Sequence, residues 1–137
     1  MITVTFRSAR DQTKNTPEKP DYLLVNWRVY GSPPVWRPPT DLIELEDHFL
    51  VRVEIAGMTD KDFTIVLDQT ILSIHGIRYD IPDRRAYHQM EVNMGEFNAV
   101  VEIPGMIDRE KATAVYESGF LLVTLPKSEP KQIHINE

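Results

Sequence analysis

The 137 residues include no cysteine, which excludes disulfide frameworks, thiolate nucleophiles, iron–sulfur ligation and cysteine-based zinc sites. No apolar run approaches the roughly 18 residues that a membrane-spanning helix needs. The first ten residues carry Arg7 and Arg10 but no apolar stretch of the kind a secretory signal has. These absences lead to the expectation of a soluble, cytoplasmic protein with no membrane span. Glycine is scarce, at six residues, and no Gly-x-x-x-x-Gly-Lys run is available to cradle nucleotide phosphates. Basic charge is also short: 15 Lys and Arg against 21 Asp and Glu leave a net charge of −6. Nucleic acid, whose phosphates call for a concentrated basic surface, is therefore not an expected partner.

Catalytic constellations are missing as well. His48, His75, His88 and His134 are far apart and none stands in a metal-ligand spacing. Neither Ser73 nor Ser118 sits in a Gly-x-Ser-x-Gly turn. The acid pairs Glu44/Glu46 and Asp60/Asp62 read as the ordinary surface of an acidic protein rather than as general acid and base. No catalytic residue, metal ligand or cofactor site is assigned, and the chain is not expected to be an enzyme.

What the chain does contain is enough apolar material, 42% of residues, for one globular core. Six of its ten prolines fall in the first 40 residues, which blocks a sustained helix or central strand there. Residues 1–38 read as an irregular arm, with 21–30 as its most structured stretch. Residues 1–40 hold six basic and three acidic side chains, a balance of +3, so the rest of the chain carries −9. The arm also holds both tryptophans, Trp27 and Trp36, with Phe6, Tyr22 and Tyr30, more large aromatic surface than an inert linker carries.

From residue 39 to 128 the pattern changes to short runs of period two, the signature of half-buried strands. Strands are expected at 41–46, 49–55, 63–67, 71–75, 87–93, 97–103, 112–116 and 120–125. The fold class is all-β, a sandwich. Ser118-Gly119 is expected to form the tight turn between the last two strands. The runs Ile55-Ala56-Gly57-Met58-Thr59-Asp60-Lys61 and Ile103-Pro104-Gly105-Met106-Ile107-Asp108-Arg109 read alike, as two equivalent corners of one sandwich.

Residues 129–137 form a short polar tail that ends in Ile133-His134-Ile135. When extended, both isoleucines point to one side, the geometry for filling a groove at a sheet edge. Their burial returns roughly 3–6 kcal/mol of gross transfer energy. Ordering the tail absorbs most of that, so such a contact is weak alone and becomes useful when repeated in an assembly.

Taken in order, six runs resemble the α-crystallin domain of small heat-shock proteins. They are Pro38-Pro39-Thr40-Asp41-Leu42-Ile43-Glu44, Val53-Glu54-Ile55-Ala56-Gly57, Leu72-Ser73-Ile74-His75-Gly76-Ile77-Arg78, Gly95-Glu96-Phe97, Ile103-Pro104, and Ala114 through Ser118-Gly119 to Leu125-Pro126-Lys127. Ile133-His134-Ile135 falls where that family carries its Ile-x-Ile motif. The resemblance implies an immunoglobulin-like sandwich that dimerises and assembles into a homo-oligomer through the tail. It also implies an ATP-independent holdase for unfolding client proteins. The groove receiving Ile133 and Ile135 would be walled by Phe63, Ile65, Leu67, Thr113 and Val115. Clients would be met by the arm, with Tyr22, Leu23, Leu24, Trp27, Tyr30 and Trp36 as its client-binding residues. Two departures stand out: Ala99 replaces the usual arginine after Gly-x-Phe, and Ile77 replaces the usual acid before Arg78. An apolar alternation, Ile77, Tyr79 and Ile81, takes its place, either as a loop exchanged between subunits or as a direct dimer contact. A co-chaperone-like sandwich, acting as monomer or dimer on a defined partner, is the alternative.

Overall fold

Alternating apolar residues become strands when one face finds a core, and of the eight strands among the described residues all but β2 place side chains in or against one core. The computed structural model describes residues 2–7, 35–82 and 86–129. Tyr22, Leu23, Leu24, Trp27 and Tyr30 of the arm, and Ile133 and Ile135 of the tail, lie outside the described residues. The strands are β1 (Val4–Arg7), β2 (Thr40–Glu44), β3 (His48–Glu54), β4 (Phe63–Asp68), β5 (Ile71–Arg78), β6 (Gly95–Glu102), β7 (Thr113–Glu117) and β8 (Phe120–Pro126). They form two four-stranded sheets, β1-β4-β5-β6 and β2-β3-β8-β7, so the all-β sandwich expected from the sequence is the observed architecture.

Each sheet is amphipathic. Phe49, Val51 and Val53 of β3 and Leu121, Val123 and Leu125 of β8 face Ile65 and Leu67 of β4, Leu72 and Ile74 of β5, and Phe97, Ala99 and Val101 of β6, all in one buried cluster. Arg52 and Glu54 alternate outward with the β3 core residues. The two similar sequence runs are the places where the chain crosses between sheets, β3 to β4 and β6 to β7, and each ends in a single 3-10 turn, Asp60–Asp62 or Arg109–Lys111. Ser118 and Gly119 join β7 to β8 with φ of 52° and 82°. Two successive positive φ angles match the right-handed twist of the strands they connect.

Two elements differ from the sequence reading. The stretch 87–93, which alternates like a strand, is irregular, so the connection from β5 to β6 spans residues 79–94. The alternation is present, but among the described residues this stretch pairs with no strand. Conversely, the arm contributes a strand: β1 pairs in parallel with β4, matching Val4 with Ile65 and Arg7 with Asp68. Trp36 forms a parallel bridge to Phe97. The sandwich thus reaches back past residue 39 to Trp36 and, through β1, to the start of the chain.

Gly76 explains why the Leu72–Arg78 run needs its glycine. In register it sits between Phe63 of β4 and Phe97 of β6. The two rings meet edge-on above it, with centroids 6.2 Å apart. A Cβ at Gly76 would lie 2.4 Å from the Asp62 carbonyl oxygen and 2.7 Å from Phe97 Cζ. Backbone on one side and a core ring on the other leave no room to yield. Gly76→Ala is expected to lower stability by about 1–3 kcal/mol, read as a drop in the urea midpoint at unchanged m-value. An unchanged midpoint would refute this account of the glycine.

Candidate functional site

β4 and β7 lie on the same side of the sandwich, one in each sheet, and the space between them is where the tail was expected to dock. On β4, Phe63, Ile65 and Leu67, three of the expected groove walls, face inward and belong to the buried core. On β7 the phase differs from the expectation. Val115 is 53% exposed and Thr113 is also exposed, while Ala112, Ala114 and Tyr116 turn toward the core. The cause lies in Tyr116. Its hydroxyl donates to the Ile55 carbonyl at 2.8 Å and accepts from the Met58 N–H at 3.3 Å. Its ring packs against Phe63 with centroids 5.1 Å apart. Ala114 and Tyr116 then pair with the fully buried Val123 and Leu121 of β8, which locks the inward face.

The edge of β4 beside this space is occupied by β1. Ile2 is only 8% exposed and belongs to the core cluster, and Val4 packs against it. Thr3 and Thr5 point outward. Ile2 and Val4 are core-packed residues that the sequence reading passed over, although Ile2-Thr3-Val4-Thr5-Phe6 alternates and is rich in β-branched residues. Ordering six residues costs roughly 6–12 kcal/mol of backbone entropy. Burial of two aliphatic side chains and backbone bonding at four paired positions return roughly 5–12 kcal/mol. The contact is close to balance, as a removable one should be.

A second cluster closes the neck of the 79–94 connection. The Trp36 N–H donates to the Glu96 carbonyl at 3.1 Å, the Asn98 N–H donates to the Trp36 carbonyl at 3.0 Å, and the indole Nε1 donates to the Gly95 carbonyl at 3.3 Å. The ring lies 5.6 Å from Phe97, and the Arg78 guanidinium sits 4.5 Å above it. Arg78 also donates from Nε to the Asn93 carbonyl at 2.9 Å, from Nη2 to that same oxygen, and from Nη1 to the Ala56 carbonyl at 3.2 Å. Trp36, expected in the adhesive arm, is thus part of the body. Beyond this neck the connection presents apolar surface: Ile77 is 36% exposed, Tyr79 76% and Ile81 64%, and Tyr87, Met90 and Val92 are exposed as well.

Neither cluster is arranged for bond-making. A shallow depression of about 660 Å³ on the outer face of the second sheet is lined by residues such as Leu50, Phe120 and Leu122, with Arg52 paired to Asp41 at 2.5 Å. In the β2–β3 turn, the hydrogen bond from the His48 ring at 2.6 Å holds the Asp47 carboxyl below its ordinary range. Among the described residues, no three His, Asp or Glu side chains come together to hold a metal ion, and no helix is long and apolar enough to cross a membrane.

The comparisons agree with this geometry. The sequence model of the Hsp20/alpha crystallin family matches residues 41–136. Small heat shock protein C4 of Rickettsia felis is 31% identical over 94 residues, covering 67% of this chain, and small heat shock protein C2 of the same organism is 32% identical over 94 residues, also covering 67%. The chain spans 58% and 61% of the lengths of those two relatives. Among solved structures, heat shock protein 16.0 from Schizosaccharomyces pombe superposes with a TM-score of 0.61 at 30% identity, covering 73% of this chain and 98% of that one.

Arg78→Ala removes the guanidinium that ties Asn93 to Ala56 and caps Trp36. It is expected to cost about 1–2 kcal/mol and to speed amide exchange across 79–94 while β3 and β8 keep their protection. Uniform loss of protection, or none, would show that Arg78 does not fasten this connection.

Proposed function

The chain belongs to the Hsp20/alpha crystallin family, and from that premise we propose that it is an ATP-independent holdase that keeps unfolding proteins soluble while assembled as a homo-oligomer in the cytoplasm. The observation that carries this reading is the division of apolar surface. The sandwich buries its own core completely, while Tyr79, Ile81, Tyr87, Met90 and Val92 are exposed on a connection outside it. Contiguous exposed apolar surface marks a place where other chains bind. An unfolding client offers apolar segments without a fixed sequence, and adaptable surface suffices to hold them. Binding of this kind needs no covalent step and no nucleotide.

The same connection supports a dimer. β2 ends its sheet, and among the described residues nothing extends that sheet beyond it. The stretch 87–93 has the alternation of a strand, and among the described residues it joins neither sheet. Pairing of that stretch with β2 of a neighbouring subunit would satisfy both, with Ile77, Tyr79 and Ile81 adding apolar contact at the base. Dimers would then join through Ile133 and Ile135, entering the space between β4 and β7 of a neighbour. Its walls are Phe63, Ile65 and Leu67 on one side and Ala112, Ala114 and Tyr116 on the other, since Thr113 and Val115 face outward. Tyr22, Leu23, Leu24, Trp27 and Tyr30 remain the proposed client-binding residues of the arm, on their composition alone.

Two measurements test this. The protein should suppress light scattering from a heat-stressed client at near-stoichiometric amounts without ATP, and should show a native mass of many subunits. Ile133→Ala with Ile135→Ala should reduce that mass to dimers, with an unchanged circular dichroism spectrum. A solitary chain that fails to suppress aggregation would favour the co-chaperone-like module, and an unchanged mass in the double variant would remove the tail from assembly.

A further inference from the structure

We infer that β1 is a displaceable plug: residues 2–7 and the tail around Ile133 and Ile135 are alternative occupants of one edge of β4, so the two ends of the chain compete for a single site. The inference rests on the proposed docking of the tail and adds a competitor to it. β4 has two edges. All six of its residues, Phe63–Asp68, pair with β5 on one side. On the other, Ile65–Asp68 pair with Val4–Arg7. The backbone N–H and C=O groups of that second edge cannot serve two strands at once.

The side chains make the same exclusion. Ile2 and Val4 stand two residues apart on the inward face of the added strand, as Ile133 and Ile135 would. The register that sets Val4 beside Ile65, continued by two residues, sets Ile2 beside Phe63. These are the walls assigned to the tail. Across the gap, β7 offers only Ala112, Ala114 and Tyr116, and the Tyr116 ring is already held by Ile55, Met58 and Phe63.

The consequence is control of assembly by the chain's own amino terminus. β1 belongs to the same chain as the site, so its docking is intramolecular, whereas a neighbour's tail must be supplied by another subunit. If β1 fills the site about 90–99% of the time, the apparent affinity for a tail is lowered about ten- to hundredfold. Release of β1 would open the site for a tail and at the same time expose Ile2, Val4 and Phe6. A strand held by so few buried residues is among the first parts of a fold to open on warming.

The test uses the full chain carrying Ile133→Ala and Ile135→Ala, so that its own tail does not compete, and a fluorescent peptide of residues 129–137 with the natural sequence as probe. Ile2→Ser with Val4→Ser should bind the peptide at least tenfold more tightly than the chain with β1 intact. Thr5→Cys with Val66→Cys, a pair in direct register in a chain without other cysteines, should lock β1 in place when oxidised. The locked form should bind at least tenfold more weakly, and reduction should restore binding. Should the serine variant fold poorly, the lock decides alone. Equal peptide affinity in the locked and reduced forms would overturn the inference and leave tail docking standing. No binding to any form, the serine variant included, would overturn both.

Discussion

An open β-sheet ends in strands whose outward N–H and C=O groups lack partners, and this protein is organised around what happens to those edges. Each of its two sheets has four strands and therefore two edges. β1 covers β4 along one edge of the first sheet, and the bridge at Trp36 covers part of β6 along the other. Among the described residues, β2 and β7 end the second sheet, and β2 keeps Leu42 partly exposed. An edge covered by a segment from the chain's own end is protected against indiscriminate pairing yet can be opened. An edge left bare is available at all times. That difference separates a regulated contact from a constitutive one.

The interior supplies the rigidity that lets the edges act independently. Gly76 allows Phe63 and Phe97 to meet across β5, and Phe63 in turn packs against Tyr116 on the opposite sheet. Phe97 continues the chain of rings to Trp36, under the Arg78 guanidinium. One line of aromatic contact therefore runs from β7 through β4 and β6 to the neck of the 79–94 connection. Loosening one site would be felt at the other only through buried, closely packed side chains, which resist small displacements. The groove and the exposed connection are thereby held at fixed positions on one body, while the contacts made at them remain weak.

Much of this was legible in the residues. Period-two alternation located seven of the eight strands to within a few residues, because a buried face repeats every second position whatever the strand's neighbours are. Ser118-Gly119 announced its own turn through the φ angles it adopts readily. The readings that differed all depend on partners distant in sequence. At 87–93 the alternation is that of a strand, but a strand also requires a paired edge, and among the described residues this stretch pairs with none. Val4–Arg7 carries good strand residues that looked like part of a proline-rich arm, since pairing with β4 across some sixty positions leaves no local trace. Thr113 and Val115 were expected as groove walls from the family resemblance, which places a groove there without giving the phase of the strand. The long reach of Tyr116 to Ile55 and Met58 set the opposite phase. No spacing rule registers a hydroxyl that finds its carbonyl 61 residues away.

The near balance of the β1 contact gives these edges their functional meaning. A groove-filling strand with a large net stabilisation would never leave, and one with none would not keep the apolar walls of β4 from meeting the wrong chain. Two aliphatic residues and four paired positions place the contact between these limits, where a change of about 1.4 kcal/mol alters occupancy tenfold. Temperature, or the local concentration of competing tails, supplies changes of that size. The proposed holdase role requires adhesive surfaces that are reversible in the same range. In the proposed competition, Ile2-x-Val4 at the β4 edge and Ile133-x-Ile135 of the tail would meet that requirement by exchange of two short segments matched in size.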